Sequence, residues 1–214
     1  MFNKEIIAIL IAYLLGSVPF AYIIARFTRG IDIRRAGTGN VGAMNTWREA
    51  GTLPGLLVLV LDVVKGSLAV LTAGAMGMPL FVVMLCGIAA VAGHNWPVFL
   101  QFKGGRGAAA TLGVLLAVMP EQFGISFVVI AMIFLLTRNT GLAVGTGLLV
   151  LTLVAWATGM ETVFVAYPVV LGVFGLLRNI FDLKQELAKH HGLKAVVFRS
   201  LPFPGTRGKS DLHP

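Results

Sequence analysis

Long apolar runs separated by short polar stretches follow one another along most of the chain, and this pattern limits its possible folds more than any other feature. A helix needs about 20 apolar residues to cross the hydrocarbon core of a bilayer. Seven runs are candidate spans: 5–25, 54–75, 79–93, 108–119, 122–137, 141–158 and 162–177. Two of them, 79–93 and 108–119, are short. The sequence therefore predicts an all-α polytopic membrane protein.

The composition agrees with a membrane location. Hydrophobic residues make up 57% of the chain and charged residues 12%, against about 25% charged in ordinary globular domains, and the mean hydropathy is +0.88. We expect residues 1–200 to form a single transmembrane domain and residues 201–214 to form a flexible basic cytoplasmic tail. The first apolar run continues past Gly16 without a competing small-residue cleavage site, so we expect a retained span rather than a signal peptide.

The single cysteine and the basic net charge narrow the function classes. Cys86 lies inside an apolar run, where one thiol can form no internal disulfide and offers no metal cluster, so we expect no metal and no cofactor. The net charge of +8 comes from Lys and Arg residues in loops and a tail that border apolar runs. This distribution favours an anionic phospholipid bilayer and phosphorylated substrates as partners rather than nucleic acid, and no obligate protein partner is evident.

Lys and Arg residues also predict the orientation in the membrane. Alternate loops hold most of them: Arg26, Arg29, Arg34, Arg35, Arg48, Lys103, Arg106, Arg138 and the basic residues from Arg178 onward. The opposite side holds Lys4, Glu121 and Glu161. Because cytoplasmic loops carry the positive excess, we expect the N-terminus outside and the C-terminus inside.

The first anomalous polar stretch is RRAGTGNVGAMNTWREAG, residues 34–51. Its glycines and polar side chains alternate: Gly37, Gly39 and Gly42 with Thr38, Asn40 and Asn45, followed by Arg48. Glycines let backbone N–H groups converge on an anion, and a guanidinium adds a bidentate charge-assisted contact. The stretch therefore fits an anion site, although an ordinary interhelical loop with glycine turns explains its composition equally well.

The second stretch is LDVVKG, residues 61–66, inside an apolar run. Asp62 and Lys65 are three residues apart and share one face of a helix. Charged groups within a membrane normally face the bundle interior or a polar cavity, and they mark functional sites by default. The alternative, which we favour slightly, is a mutually neutralising structural pair, and Lys65 would in either case add positive field near a phosphate.

The third stretch is FLQFKGGRGAAAT, residues 99–111, preceded by GHNWPV at 93–98 and flanked by the two short runs. We call residues 103–107 the glycine loop, and it combines three glycines with two cations: Lys103, Gly104, Gly105, Arg106 and Gly107. Together with the start of the next helix, it fits a cytoplasmic anion site. The Walker A spacing is absent, so nucleotide hydrolysis is not supported. Close helix packing is the alternative for the glycines, and a lone His94 is more often structural than catalytic.

Together these stretches resemble a known enzyme family. GSVPFAYIIA, GTGNVGAMNTWR, LDVVKG and GHNWPVFLQFKGGRGAAAT are similar, in order and spacing, to motifs of the bacterial acyl-phosphate:glycerol-3-phosphate acyltransferases. The resemblance implies a seven-helix enzyme of the bacterial plasma membrane with its active site facing the cytoplasm. It also implies transfer of an acyl chain from acyl phosphate to the 1-position of glycerol 3-phosphate, which yields lysophosphatidic acid and phosphate without coenzyme A.

The resemblance also assigns residues. Catalytic roles fall on Thr38, Asn40, Arg48 and Asn179. The resemblance makes the glycine loop, Lys103, Gly104, Gly105, Arg106 and Gly107, the glycerol-phosphate site. From the residues themselves we also expect Asn45, Asp62, Lys65 and His94 to bind substrate. The chain departs from the family pattern at four positions, where Thr38 and Gly141 replace serines, Arg106 replaces a lysine and Leu176 replaces a histidine.

Two other functions remain open from the sequence. A divergent relative would acylate another phosphorylated or polyol acceptor, and an organic-phosphate transporter would also use short spans around a glycine loop. Against transport, the polar residues cluster toward one membrane face and no inverted repeat is evident. No Ser-His-Asp constellation or catalytic cysteine is present, so direct acyl transfer is favoured over an acyl-enzyme.

Overall fold

The computed structural model describes the backbone of residues 2–189 and the side chains of residues 3–180, and this part of the chain is entirely helical outside its turns and loops. The expected tail, residues 201–214, lies outside the described residues. The α-helices are α1 Phe2–Ser17, α2 Phe20–Arg29, α3 Ala43–Ala50, α4 Thr52–Ala75, α5 Leu80–Asn95, α6 Ala108–Val118, α7 Pro120–Thr137, α8 Thr140–Ala157 and α9 Thr162–Lys189. Single 3₁₀ turns lie at Ile33–Arg35 and Val98–Leu100.

Six segments of the described chain are long and apolar enough to cross a membrane. They are Asn3–Arg29, Thr52–Ala75, Leu80–Leu100, Pro120–Thr137, Thr140–Ala157 and Thr162–Ile180. The seventh predicted run forms α6, whose 11 residues reach only about 16 Å at 1.5 Å per residue. The predicted all-helical polytopic fold is confirmed, and one of its seven segments is a half-length helix that begins at the glycine loop.

The first predicted span, 5–25, is not one continuous helix. Helix α1 ends at Ser17 and α2 begins at Phe20, with Pro19 between them. Proline has no N–H to donate and clashes with the preceding turn, so it interrupts a helix. The carbonyl of Val18 at this break accepts hydrogen bonds from the Phe20 N–H at 3.1 Å and from Lys65 Nζ on α4 at 2.9 Å. The Lys65 ammonium thus binds a backbone carbonyl at the break between α1 and α2.

Glycines set the crossing of α4 and α6. A Cβ at Gly66 would strike the backbone carbonyl of Ala110, and a Cβ at Gly113 would strike that of Val63. The Ser67 hydroxyl donates to the Gly113 carbonyl at 2.7 Å across the same crossing. Small residues allow helix backbones to approach closely in membrane proteins, where apolar side chains gain little by leaving lipid. This contact fixes the start of α6, and with it the glycine loop.

Candidate functional site

The glycine loop packs directly on the end of α5. The N–H of Gly105 donates to the His94 carbonyl at 3.0 Å, and a Cβ at Gly105 would collide with the His94 ring and lie 2.7 Å from the Val41 carbonyl. Gly104 is equally confined, with the Asn95 carbonyl 2.8 Å from its would-be Cβ. Gly107 is the N-cap of α6 with a φ of 79°. Close approach therefore requires the first two glycines, and left-handed backbone requires the third.

The turn before this loop contains unusual backbone geometry. Gln101 and Phe102 have φ values of 53° and 61°, a region that side chains other than glycine rarely adopt. The N–H groups of Phe102 and Lys103 donate to the carbonyls of Pro97 and Leu100 at 3.0 and 3.1 Å. Such strain persists where surrounding structure over-determines it, often at functional sites. The turn leaves Lys103 exposed at the start of the loop.

The first polar stretch is organised by Asn45, which is buried. Its Oδ1 accepts a hydrogen bond from the Thr38 N–H at 3.0 Å. Its Nδ2 donates to the carbonyls of Ile33 and Ala36 at 3.3 and 3.0 Å. Asn45 therefore holds the shape of the loop from inside, whereas Thr38 is exposed on its surface.

The other predicted residues of this stretch lie around that loop. Asn40 and Arg48 are both half-buried, and Arg48 belongs to helix α3, which the sequence did not predict as a separate element. The carbonyl of Val41 rests against Gly105. The structure thus brings the first polar stretch into contact with the glycine loop, two segments that are more than fifty residues apart in sequence.

An ion pair near the start of this stretch shows how charges are held outside the membrane core. The guanidinium of Arg34 donates to both carboxylate oxygens of Asp32, at 3.0 and 2.7 Å, and lies 4.9 Å from the centre of the Tyr22 ring. These hydrogen bonds lower the pKa of Asp32 from 3.8 to about 2. Asp32 therefore stays ionised at neutral pH and also caps the 3₁₀ turn by accepting from the Arg34 N–H.

The intramembrane charges form a closed cluster. Lys65 Nζ lies 2.7 Å from Asp62 Oδ1, and His94 Nδ1 lies 3.6 Å from the same oxygen. The prediction that Asp62 and Lys65 share a helix face is confirmed. A cavity of about 10 Å³ beside them has room for roughly one water.

Asp62, Lys65 and His94 are all buried, and the Lys65 ammonium is already bound to Asp62 and to the Val18 carbonyl. Contact of these residues with a substrate stays a prediction. The favoured alternative, a structural pair, fits this arrangement. His94 supports the glycine loop in two ways. Its carbonyl accepts a hydrogen bond from the Gly105 N–H, and its ring lies against Gly105.

Helix α9 brings further residues near the loop. Asn179 donates from Nδ2 to the Gly175 carbonyl of its own helix at 2.6 Å, and the preceding Arg178 places its guanidinium carbon 5.8 Å from the Trp96 ring centre. Leu176, at the family's histidine position, points outward and is exposed. Gly141 lies in the first turn of α8, where a Cβ would meet only Asn139 Oδ1 at 3.4 Å.

Two residues at this end of the molecule were missed by sequence reasoning. Asn95 is fully buried between His94 and Trp96, and neither polar atom of its side chain has a hydrogen-bond partner among the described residues. Arg178 was counted only as one of the basic C-terminal residues. The stretch GHNWPV contains both Asn95 and Trp96, whose ring contacts Arg178. An asparagine and a tryptophan shortly before the glycine loop were the sequence signal that could have identified these residues.

Comparison with known proteins points to one family. The family model described as glycerol-3-phosphate acyltransferase matches residues 6–189. The glycerol-3-phosphate acyltransferase 2 of Dehalococcoides mccartyi strain ATCC BAA-2266 is 36% identical over 199 residues, which cover 92% of this chain and 95% of that protein. The protein of the same name from Moorella thermoacetica is 47% identical over 137 residues, 64% of this chain and 70% of that protein.

Solved structures agree with the sequence comparison. The glycerol 3-phosphate form of PlsY (YgiH), an integral membrane glycerol 3-phosphate acyltransferase, has a TM-score of 0.77 and 36% identity, and the match covers 86% of this chain and 92% of that one. Its lysophosphatidic acid form has a TM-score of 0.76. The length of these matches, their identity and the shared helical architecture show that the chain belongs to the glycerol-3-phosphate acyltransferase family.

Proposed function

We propose that this enzyme transfers an acyl chain from acyl phosphate to the 1-hydroxyl of glycerol 3-phosphate. The observation that carries the proposal is the contact between two segments that the sequence predicts to bind anions, where the Val41 carbonyl of the first polar stretch lies against Gly105 of the glycine loop. Each substrate of this reaction carries a phosphate. Two adjoining sites with separate cations are suited to hold two such groups together.

The glycine loop supplies one of these sites. Gly107 is the N-cap of α6, so the free N–H groups of the first helical turn and the helix dipole favour an anion there. Lys103 and Arg106 flank it with full positive charges. We assign the phosphate of glycerol 3-phosphate to this loop, and we assign Thr38, Asn40 and Arg48 of the first polar stretch, together with Asn179, to the acyl-transfer step.

The reaction then needs no covalent enzyme intermediate. The 1-hydroxyl oxygen attacks the acyl carbonyl carbon, the bond from that carbon to the phosphate oxygen breaks, and inorganic phosphate leaves. The hydroxyl proton passes to a phosphate oxygen of the acceptor and ends on the leaving phosphate, so charge and atoms balance. Positioning and electrostatic stabilisation by the cations supply the catalysis. Cys86, the one cysteine of the sequence, is buried among small apolar residues and takes no part.

The proposed location is a bacterial plasma membrane, with the N-terminus outside and the site facing the cytoplasm. The asymmetry of Lys and Arg between alternate loops supports this orientation. A cysteine introduced at Ser210 in a Cys86→Ala background should react with an impermeant maleimide only after right-side-out vesicles are permeabilised. Labelling of intact vesicles would reverse the orientation.

A donor comparison with purified protein tests the function. With palmitoyl phosphate and glycerol 3-phosphate, we expect phosphate release and lysophosphatidic acid in equal amounts, whereas palmitoyl-coenzyme A should give no product. Arg106→Ala should raise the Michaelis constant for glycerol 3-phosphate about tenfold or more, and Arg106→Lys should be tolerated. Release of phosphate with a different acceptor only, or uptake of labelled glycerol 3-phosphate into sealed vesicles without acylation, would replace the proposal with one of the other two functions.

A further inference from the structure

A cation that the proposed mechanism does not use lies beside Trp96, just after the end of α5. The Arg178 guanidinium carbon is 5.8 Å from the centre of the Trp96 ring, within the range of a cation–π contact. The ring is itself anchored, because the Trp96 carbonyl accepts a hydrogen bond from the Tyr13 hydroxyl at 2.7 Å and Phe174 packs edge-on against it. Arg178 is therefore held against a fixed surface.

The charge on this side chain is only partly accounted for. Arg178 Nε is shielded from solvent and has no hydrogen-bond partner among the described residues. No carboxylate of the described side chains lies within ion-pair distance of the guanidinium. Asp182 follows four residues later in the sequence, and such spacing on a helix permits an ion pair. A local Arg178–Asp182 ion pair is therefore the competing explanation for the charge on Arg178.

The position of Arg178 relates it to the membrane as well as to the loop. Leu176 and Leu177, which directly precede Arg178 on α9, are 58% and 62% exposed, and this part of the helix ends the apolar segment that closes at Ile180. Trp96 directly precedes Pro97, whose ring a Cβ at Gly104 would strike. Arg178 thus lies at the end of an apolar segment, against a ring whose chain neighbour Pro97 borders the glycine loop.

This junction suits a ligand with an apolar tail and a phosphate head. Glycerol 3-phosphate is wholly polar and reaches the loop from water, whereas an acyl phosphate resides in the bilayer and reaches the loop across that apolar surface. Phe99 and Phe102 are exposed on the turn next to Trp96, as are aromatic residues at membrane–water interfaces generally. A guanidinium at this depth offers a planar, always-charged fork for a phosphate.

We propose that Arg178, supported by the Trp96 ring, binds the phosphate of the acyl phosphate donor and so sets the enzyme's affinity for that substrate. The inference rests on the proposed function. It concerns the donor alone, and it leaves the phosphate of glycerol 3-phosphate at the glycine loop.

Steady-state kinetics on Arg178→Gln and Arg178→Lys, in a zwitterionic detergent, tests it. For Arg178→Gln we expect the Michaelis constant for palmitoyl phosphate to rise about tenfold, the scale of one lost charge-assisted contact, while that for glycerol 3-phosphate changes by less than about twofold. The Michaelis constant of Arg178→Lys for palmitoyl phosphate should lie between those of the wild type and Arg178→Gln. An ammonium keeps the charge but loses the planar stacking and the bidentate geometry of a guanidinium. Trp96→Leu should shift the same constant in the same direction.

Two matched variants separate this role from simpler ones. Lys4→Gln removes an exposed cation on α1, outside all the polar stretches given a role, and should leave both constants unchanged. Asp182→Asn should also leave them unchanged; if it reproduces Arg178→Gln, the residue acts through a local ion pair and the inference is wrong. Thermal midpoints and monodispersity are measured on every variant, and Arg178→Lys gives the answer if Arg178→Gln does not fold.

The remaining outcomes are also decisive. An unchanged constant for palmitoyl phosphate in folded Arg178→Gln, or a rise in the constant for glycerol 3-phosphate instead, overturns the inference. An effect that appears only when anionic phospholipid is added to the micelles shows that Arg178 binds membrane headgroups, which also overturns it. A wild-type protein without activity on palmitoyl phosphate refutes the proposed function, whereas an active wild type with unaffected Arg178 variants refutes only this assignment.

Discussion

Replacing Lys65 by methionine should destabilise the protein more than replacing both members of its ion pair. Lys65 Nζ and Asp62 Oδ1 are 2.7 Å apart, and the two side chains are only 5% and 2% exposed. Lys65→Met keeps the length of the side chain but leaves the Asp62 carboxylate buried without its partner, which costs about 3–5 kcal/mol. It also removes the charge-assisted hydrogen bond from Lys65 to the Val18 carbonyl, at a further cost of about 1.5–3 kcal/mol, although the Phe20 N–H still donates to that carbonyl.

The double variant Asp62→Asn/Lys65→Met removes both charges and loses mainly the hydrogen bond from Lys65 to the Val18 carbonyl, so its expected loss is about 1.5–3 kcal/mol. The loss of stability in Asp62→Asn alone should lie between those of the double variant and Lys65→Met, because the Lys65 ammonium keeps its hydrogen bond to the Val18 carbonyl.

The assay is unfolding of detergent-purified protein in mixed micelles of rising denaturing-detergent content, followed by tryptophan fluorescence. The Asp32–Arg34 pair provides the control, because its two atoms are also 2.7 Å apart while its side chains are 21% and 31% exposed. Asp32→Asn keeps an oxygen for the N-cap and should cost less than about 1 kcal/mol. A double variant less stable than both single variants, or a Lys65→Met variant as mild as Asp32→Asn, would refute the reasoning from burial.

Three further predictions concern the helix crossing, a family departure and acid stability. Gly113→Ala should cost about 1–3 kcal/mol in the same unfolding assay because its methyl strikes a carbonyl of α4, whereas Gly74→Ala, with open space at its Cβ, should match the wild type; equal losses would contradict the close crossing. Gly141→Ser should fold as well as the wild type because the first turn of α8 has room for the side chain, and a reduced monodisperse yield on size-exclusion chromatography would count against this. The lowered pKa of Asp32 means that its ion pair with Arg34 contributes fully above pH 3.8 and is lost as the pH falls through about 2. The stability gap between wild type and Asp32→Asn should therefore close over that acid range, and a gap that widens there would show the wrong sign.

Much of this protein followed from local sequence. Apolar run length predicted the helices, since a bilayer core demands about 20 apolar residues for each crossing. The spacing of Asp62 and Lys65 placed them on one helix face, and their burial in lipid-like surroundings made a pair the favoured interpretation. The glycine loop was recognisable because glycines and cations together are out of place between two apolar runs.

Other features depend on contacts between distant segments. The break at Pro19 lies inside an apolar run whose hydropathy gives no sign of it, and it is completed by Lys65 from another helix. Asn45 was predicted to bind substrate, and only the structure shows that its amide also donates to two carbonyls of its own loop. In the sequence Arg178 is only one of several basic residues toward the C-terminus, and the structure places its guanidinium against the Trp96 ring.

The physical reason is that hydropathy decides which segments enter the membrane but not which of their faces meet. Lipid tails are as apolar as leucine, so an apolar pattern carries no preference between a lipid neighbour and a helix neighbour. The choice is made by close approaches at small residues such as Gly113, and by polar groups that must find partners, as the Val18 carbonyl does. Those partners come from other helices, and only the tertiary structure identifies them.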